Sequence, residues 1–183
     1  MRRILLGACC ALTACGPAAA PPAAGPSYET PTQVVSTGDA INVTTSTTVR
    51  VISQNLDAPV DRVWAVLPAV YAELGLGTGA DAARRTVSGG SNFNRRFAGE
   101  PATRLFDCGQ GQFGAEIAST YTIRFTVSTT VNPGEGNGSR LDSMVEAQAR
   151  STDGANALAA NCRTEGGLEA LIATRVRQKL AAG

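Results

Sequence analysis

Histidine is absent from all 183 residues of this chain. That removes the commonest general base, proton shuttle and transition-metal ligand together. Ser-His-Asp and Cys-His nucleophile arrangements are excluded, as is any zinc site that needs imidazole. Lysine is nearly absent as well, since arginine supplies 15 of the 16 basic residues, set against 15 acidic ones. A formal net charge of +1 gives no long-range field for gathering nucleic acid, which is therefore not expected as a partner. Aromatic residues are only 5% of the chain, with one Trp, three Tyr and five Phe, which leaves little to line a large hydrophobic pocket. No apolar run approaches the roughly 20 residues of a membrane-spanning helix.

What is present begins with Met1-Arg2-Arg3, a short apolar core from Ile4, and small residues leading into Leu12-Thr13-Ala14-Cys15. That is the order of an export signal rather than of a folded element. The four residues resemble the lipobox of bacterial lipoproteins, which implies that Cys15 is diacylated and becomes the new N-terminus, anchoring the chain to a lipid bilayer. An earlier site at Leu6-Gly7-Ala8-Cys9 leaves too short an apolar core, and an ordinary signal peptide without lipid is the remaining alternative. Residues 1–15 are thus read as signal peptide. Gly16 after the cysteine is not the aspartate that, by the same resemblance, retains lipoproteins at the inner membrane. The outer membrane, facing the periplasm, is the expected location.

Of the five cysteines, Cys9, Cys10 and Cys15 fall in the signal, leaving Cys108 and Cys162. In an exported chain such a pair reads as one structural disulfide, with two buried thiols as the alternative. A redox-active pair is disfavoured because the two do not stand as Cys-x-x-Cys.

Residues 16–45 are rich in Pro, Ala and Thr and carry few large apolar side chains, so they are read as a disordered tether. Residues 46–183 are read as a single domain. Within it, Thr47–Gln54 is composed as a strand. Asp57-Ala58-Pro59 then opens a helix in which Val60, Val63, Trp64, Leu67, Tyr71 and Leu74 recur at i+3 and i+4, ending at Gly75, with a kink expected at Pro68, which lacks the N–H that would bond back to Trp64. The glycines at 75, 77 and 79 close a helix, whereas a phosphate-cradling loop must open one. Short strands are expected at Arg85–Ser88, Asn92–Phe97 and Thr103–Cys108, broken by Gly89-Gly90 and Gly99-Glu100-Pro101.

The clearest pattern runs from Ala118 to Val131, where Tyr121, Ile123, Phe125, Val127 and Val131 alternate with polar residues. Leu141, Val145, Ala147 and Ala149 alternate likewise after a glycine-rich turn, which predicts a long antiparallel hairpin. Alanine-rich residues up to Asn161 suit a loop or weak strand. A terminal helix follows Gly166-Gly167 with Leu168, Leu171, Ile172, Val176 and Leu180 on one stripe. The expected class is α+β: an antiparallel β-sheet packed by two helices.

The stretch Leu56-Asp57-Ala58-Pro59-Val60-Asp61-Arg62-Val63-Trp64, with Leu74-Gly75-Leu76, resembles two families. One is the BamC type of outer-membrane lipoprotein, and the other is the START and Bet v type of lipid-binding domain. Both resemblances imply a helix-grip fold, in which the proline starts the helix and the tryptophan faces the sheet.

Arg84, Arg85, Arg95, Arg96 and Arg104 are the candidate cationic patch for lipid headgroups, cell-wall carboxylates or an acidic envelope protein; solvated strand positions are the plainer reading. Asp107 with Glu116, and Glu165 with Glu169, are the carboxylate pairs available for acid-base work. Favourable charge at a helix N-terminus is the more ordinary explanation of the second pair. No catalytic residue, metal or cofactor is expected. The expected role is a membrane-anchored, non-enzymatic binding or assembly domain of the cell envelope; the alternative is a carrier or sensor holding a small apolar ligand between sheet and helices.

Overall fold

The computed structural model describes residues 24–32, 45–111, 114–151 and 159–183, with side chains from Arg50 onward. Cys15 and the lipobox lie outside the described residues. The class is α+β, with a mostly antiparallel sheet and helices on one of its faces. Strand β1 (Ala24–Thr32) pairs antiparallel with β2 (Thr45–Leu56). β1 lies inside the stretch expected to be tether: backbone ladder bonds require no large apolar side chain, and Tyr28-Glu29-Thr30 has no helix-directing periodicity.

Helix α1 (Val60–Glu73) starts where the sequence predicts, with Pro59 in the capping position and its carbonyl accepting from Val63 N–H at 3.1 Å. It buries Val63, Leu67, Val70 and Tyr71 on one stripe and runs on through Pro68. Trp64, one position off that stripe, is half-buried against the core. Gly75 takes a left-handed φ of 70°. Its N–H bonds to Ala72 O and the next N–H, from Leu76, bonds to Tyr71 O, both at 3.0 Å. These two reversed bonds satisfy carbonyls that the helix end would otherwise leave open, and Leu76 is buried beside them.

Next come β3 (Gly79–Asp81) and β4 (Thr86–Asn94). Gly89 and Gly90 do not break β4 as the sequence suggested; they lie in its middle because the strand is crowded on both faces. A Cβ at Gly89 would sit 2.0 Å from Gly77 O, and one at Gly90 would sit 2.7 Å from Phe125 O. Glycine here permits close backbone approach rather than a turn. Strands β5 (Arg96–Phe97) and β6 (Glu100–Pro101) form a small hairpin through Ala98 and Gly99, both at positive φ. The expected strand at Thr103–Cys108 is instead the single-turn helix α2 (Ala102–Leu105), started by Pro101. Ala102, Leu105 and Phe106 are buried at i, i+3 and i+4, a helical spacing in a segment read for its composition. A second single turn, α3 (Ile117–Thr120), takes the first residues of the expected long strand.

β7 (Thr122–Pro133) and β8 (Ser139–Arg150) then make the predicted hairpin, 12 residues each. β9 (Ala159–Cys162) pairs with the end of β8, and α4 (Gly167–Ala182) closes the chain. The sheet order is β1-β2-β8-β7-β4-β3, with β9 continuing the edge of β8 where β2 leaves off.

α1 and α4 pack together across the inner face, over Ile123, Phe125, Val127 and Val131 of β7 and Leu141, Ala147 and Ala149 of β8. Each fully buried aliphatic or aromatic side chain contributes about 1.5–3 kcal/mol toward burial. In the same core Phe93, Phe97, Phe106 and Phe125 form a ring cluster with centroids 5.1–6.0 Å apart.

Candidate functional site

Because alternation sends one side of β7 and β8 under the helices, the other side is left open. This open face carries Thr86, Ser88, Asn92 and Asn94 of β4, Thr122 to Asn132 at even positions of β7, and Arg140 to Arg150 at even positions of β8. Cross-strand hydroxyls join it, Thr86 to Thr130 at 2.8 Å and Ser88 to Ser128 at 3.1 Å. At one end Asp142 accepts from Arg140 Nε and Nη2 at 2.9 Å each, from Ser53 Oγ at 2.6 Å and from Asn132 Nδ2 at 2.7 Å. Partial burial acts to raise the Asp142 carboxyl, but these hydrogen bonds outweigh it and hold the group below the usual carboxylate range.

On this face a shallow hollow of about 430 Å³ is bordered by Gly79, Ser88, Thr126, Ser128, Met144 and Glu146. Met144 is the exposed large apolar residue among those described. The hollow is on the side of the sheet away from α1 and α4.

The inner face holds a different polar set. Tyr71 Oη donates to Thr129 Oγ1 at 2.7 Å, and Thr129 is 2.7 Å from Ser143 Oγ, all three side chains buried. Burial pushes the Tyr71 phenol well above its ordinary range, against the bond to Thr129 and with help from the nearby Glu169. Glu169 is only 1% exposed. Its Oε2 accepts from Thr164 Oγ1 at 2.8 Å, and that hydroxyl in turn accepts Gly166 N–H at 3.1 Å. The other oxygen, Oε1, has no hydrogen-bond partner. Burial raises this carboxyl, with its own backbone N–H and Thr164 working the other way. Tyr71, Thr129 and Ser143 thus form one buried hydrogen-bonded set, and Glu169, Thr164 and the Gly166 N–H form another at the start of α4. Glu165 precedes the Gly166 cap, so it does not stand one helical turn from Glu169.

The five expected arginines do not make one patch. Arg84 and Arg85 stand before β4, with Arg84 3.8 Å from Asp81 and Arg85 3.2 Å from Asp61. Arg95, Arg96 and Arg104 stand at the far end, about 30 Å along a nine-residue strand. Arg96 donates to Gly99 O, and Arg104 pairs with Glu100 at 3.1 Å. Comparison with known protein families, characterised proteins and solved structures finds no match to this chain.

Cys108 and Cys162 are joined as a disulfide with Cα atoms 4.0 Å apart. Next to it Asp107 and Arg163 exchange backbone hydrogen bonds of 2.8 Å in both directions and pair through their side chains at 2.6 Å. The Gly109 N–H, then Arg163, hold the Asp107 carboxyl below its usual range. Asp107 therefore serves the bridge, while Glu116 caps α3 through its backbone. Among the described residues no group of three or more Cys, Asp or Glu side chains is placed to hold a metal ion.

Proposed function

We propose that this chain is a lipid-anchored protein of the cell envelope whose domain is a non-enzymatic binding or assembly module, helix-grip-like in its packing. The anchor rests on Leu12-Thr13-Ala14-Cys15, and the outer membrane on Gly16. The observation that carries the module reading is the contrast between the two sides of the sheet. The inner side, where a carrier would hold its ligand, is filled by Leu67, Tyr71, Ile123, Phe125, Leu168 and Ile172, each less than 2% exposed. The outer side is open, polar and hollowed. A module that works by surface contact needs the second feature, and a carrier needs room in the first.

Two measurements in the native host test this. Labelled palmitate is expected to follow the wild-type protein and to be lost with membrane partitioning in Cys15→Ser; label retained in that variant removes the anchor. Photo-crosslinkers at Ser88 and Thr126, on the open face, are expected to capture envelope components that crosslinkers at Thr174 and Arg175 of α4 do not. Capture from α4 alone, or an apolar molecule extracted with the purified protein, overturns the module in favour of another face or of the carrier.

A further inference from the structure

The register of four strands aligns mostly polar side chains into two rungs across one end of the open face. One rung is Asn92, Arg124, Gln148 and Asn161; the next is Asn94, Thr122, Arg150 and Ala159. Four strands give a strip about 14 Å wide. Arg124 and Arg150 sit diagonally on neighbouring strands, both exposed, and neither side chain forms a hydrogen bond or ion pair with another described residue. Arg95 follows Asn94 directly and is likewise exposed, its guanidinium forming no hydrogen bond or ion pair with another described residue. The acidic group on this part of the face is Glu146, on the same side of β8, and it forms no ion pair with either arginine. By contrast, Arg140, at the other end, is committed to Asp142.

From this juxtaposition we infer that the Arg124–Arg150 strip binds a carboxylate-bearing polysaccharide of the envelope. The inference rests on the reading of the domain as an envelope binding module and names the partner class for it. Guanidinium forks match carboxylates in geometry and charge. The flanking amides of Asn92, Asn94 and Gln148 both donate and accept, which suits sugar hydroxyls, themselves donors and acceptors. A bilayer surface would use the cations but not the amides, and among the described residues this end of the face presents no large exposed apolar side chain for insertion. Among the described residues of these rungs no aromatic ring supplies a stacking platform, so ionic contacts dominate and binding falls steeply with salt.

The test uses the full chain and polygalacturonate as the probe, with neutral dextran and phosphatidylglycerol vesicles in parallel. Binding to polygalacturonate at low salt, absent with dextran, is expected to fall by at least about tenfold in Arg124→Gln/Arg150→Gln. Arg84→Gln/Arg85→Gln, at the other end of β4, is expected to stay within about twofold of wild type. Unchanged thermal melting of both variants separates lost binding from lost folding. Equal binding by the strip variant and wild type overturns the inference, as does binding to vesicles without binding to polygalacturonate. Because the purified chain binds or fails to bind regardless of acylation, failure here is distinct from loss of the palmitate label.

Discussion

Removing the Cys108–Cys162 bridge is the perturbation whose size follows most directly from the structure. The cysteines are 54 residues apart. Closing a loop of that length restricts the unfolded chain by an entropy worth about 4 kcal/mol at 25 °C. Domains are typically stable by only about 5–15 kcal/mol, so the loss is a large share of the total. For a domain of about 140 residues it corresponds to a fall in Tm of about 14 °C. Native contacts should change little: the reciprocal backbone bonds and ion pair of Asp107 and Arg163 still hold the two segments together. The assay is guanidinium unfolding of wild type against Cys108→Ala/Cys162→Ala, with free thiols counted in the wild type. The expected result is no free thiol from this pair, an unfolding free energy lowered by about 4 kcal/mol, and a steeper denaturant slope because the uncrosslinked unfolded chain exposes more surface. A loss below about 1 kcal/mol with an unchanged slope would refute the reasoning, since the bridge would then not be restricting the unfolded state.

Two further outcomes test the packing. Gly89→Ala places a methyl 2.0 Å from Gly77 O and is expected to cost about 2–3 kcal/mol, whereas Gly79→Ala meets nothing nearer than 3.9 Å and is expected to change denaturant midpoints little; similar costs for both would contradict the close approach of the 75–79 loop to β4. For Glu169, burial raises the folded carboxyl above its ordinary 4.5, so the native state holds the proton to higher pH than the unfolded chain. Stability is then fullest below about pH 4.5, falls as pH rises through the raised folded value, and levels off above it. Urea midpoints should therefore slope downward just above about pH 4.5 more steeply in wild type than in Glu169→Gln; an unchanged slope in the variant sinks the assignment.

Much of the domain is legible locally. The alternation of Ile123, Phe125, Val127 and Val131 with Arg124, Thr126 and Ser128 is a period-two signal, and a strand is the structure that gives such a period one dry face. The helix after Pro59, its Gly75 closure and the terminal helix after Gly166-Gly167 follow from spacing and capping chemistry in the same way. The disulfide was legible by elimination, because reading Cys9, Cys10 and Cys15 as part of an export signal leaves Cys108 a single partner.

What only the tertiary structure decided are relations between distant segments. Gly89-Gly90 looks like a break until the 75–79 loop and the Phe125 carbonyl press against it. Glu169 looks like a surface charge suited to a helix start until Thr164, Tyr71 and the packed face of α4 enclose it. The arginines at 84–85 and 95–96 look like one basic cluster by proximity in sequence, yet an extended strand is the conformation that carries them farthest apart. Arg124 and Arg150, 26 positions apart, become diagonal neighbours because the β7–β8 register folds the chain back on itself. Sequence periodicity determines which side of an element is wet; the register and packing of other elements decide which wet residues stand together, and so where a site lies.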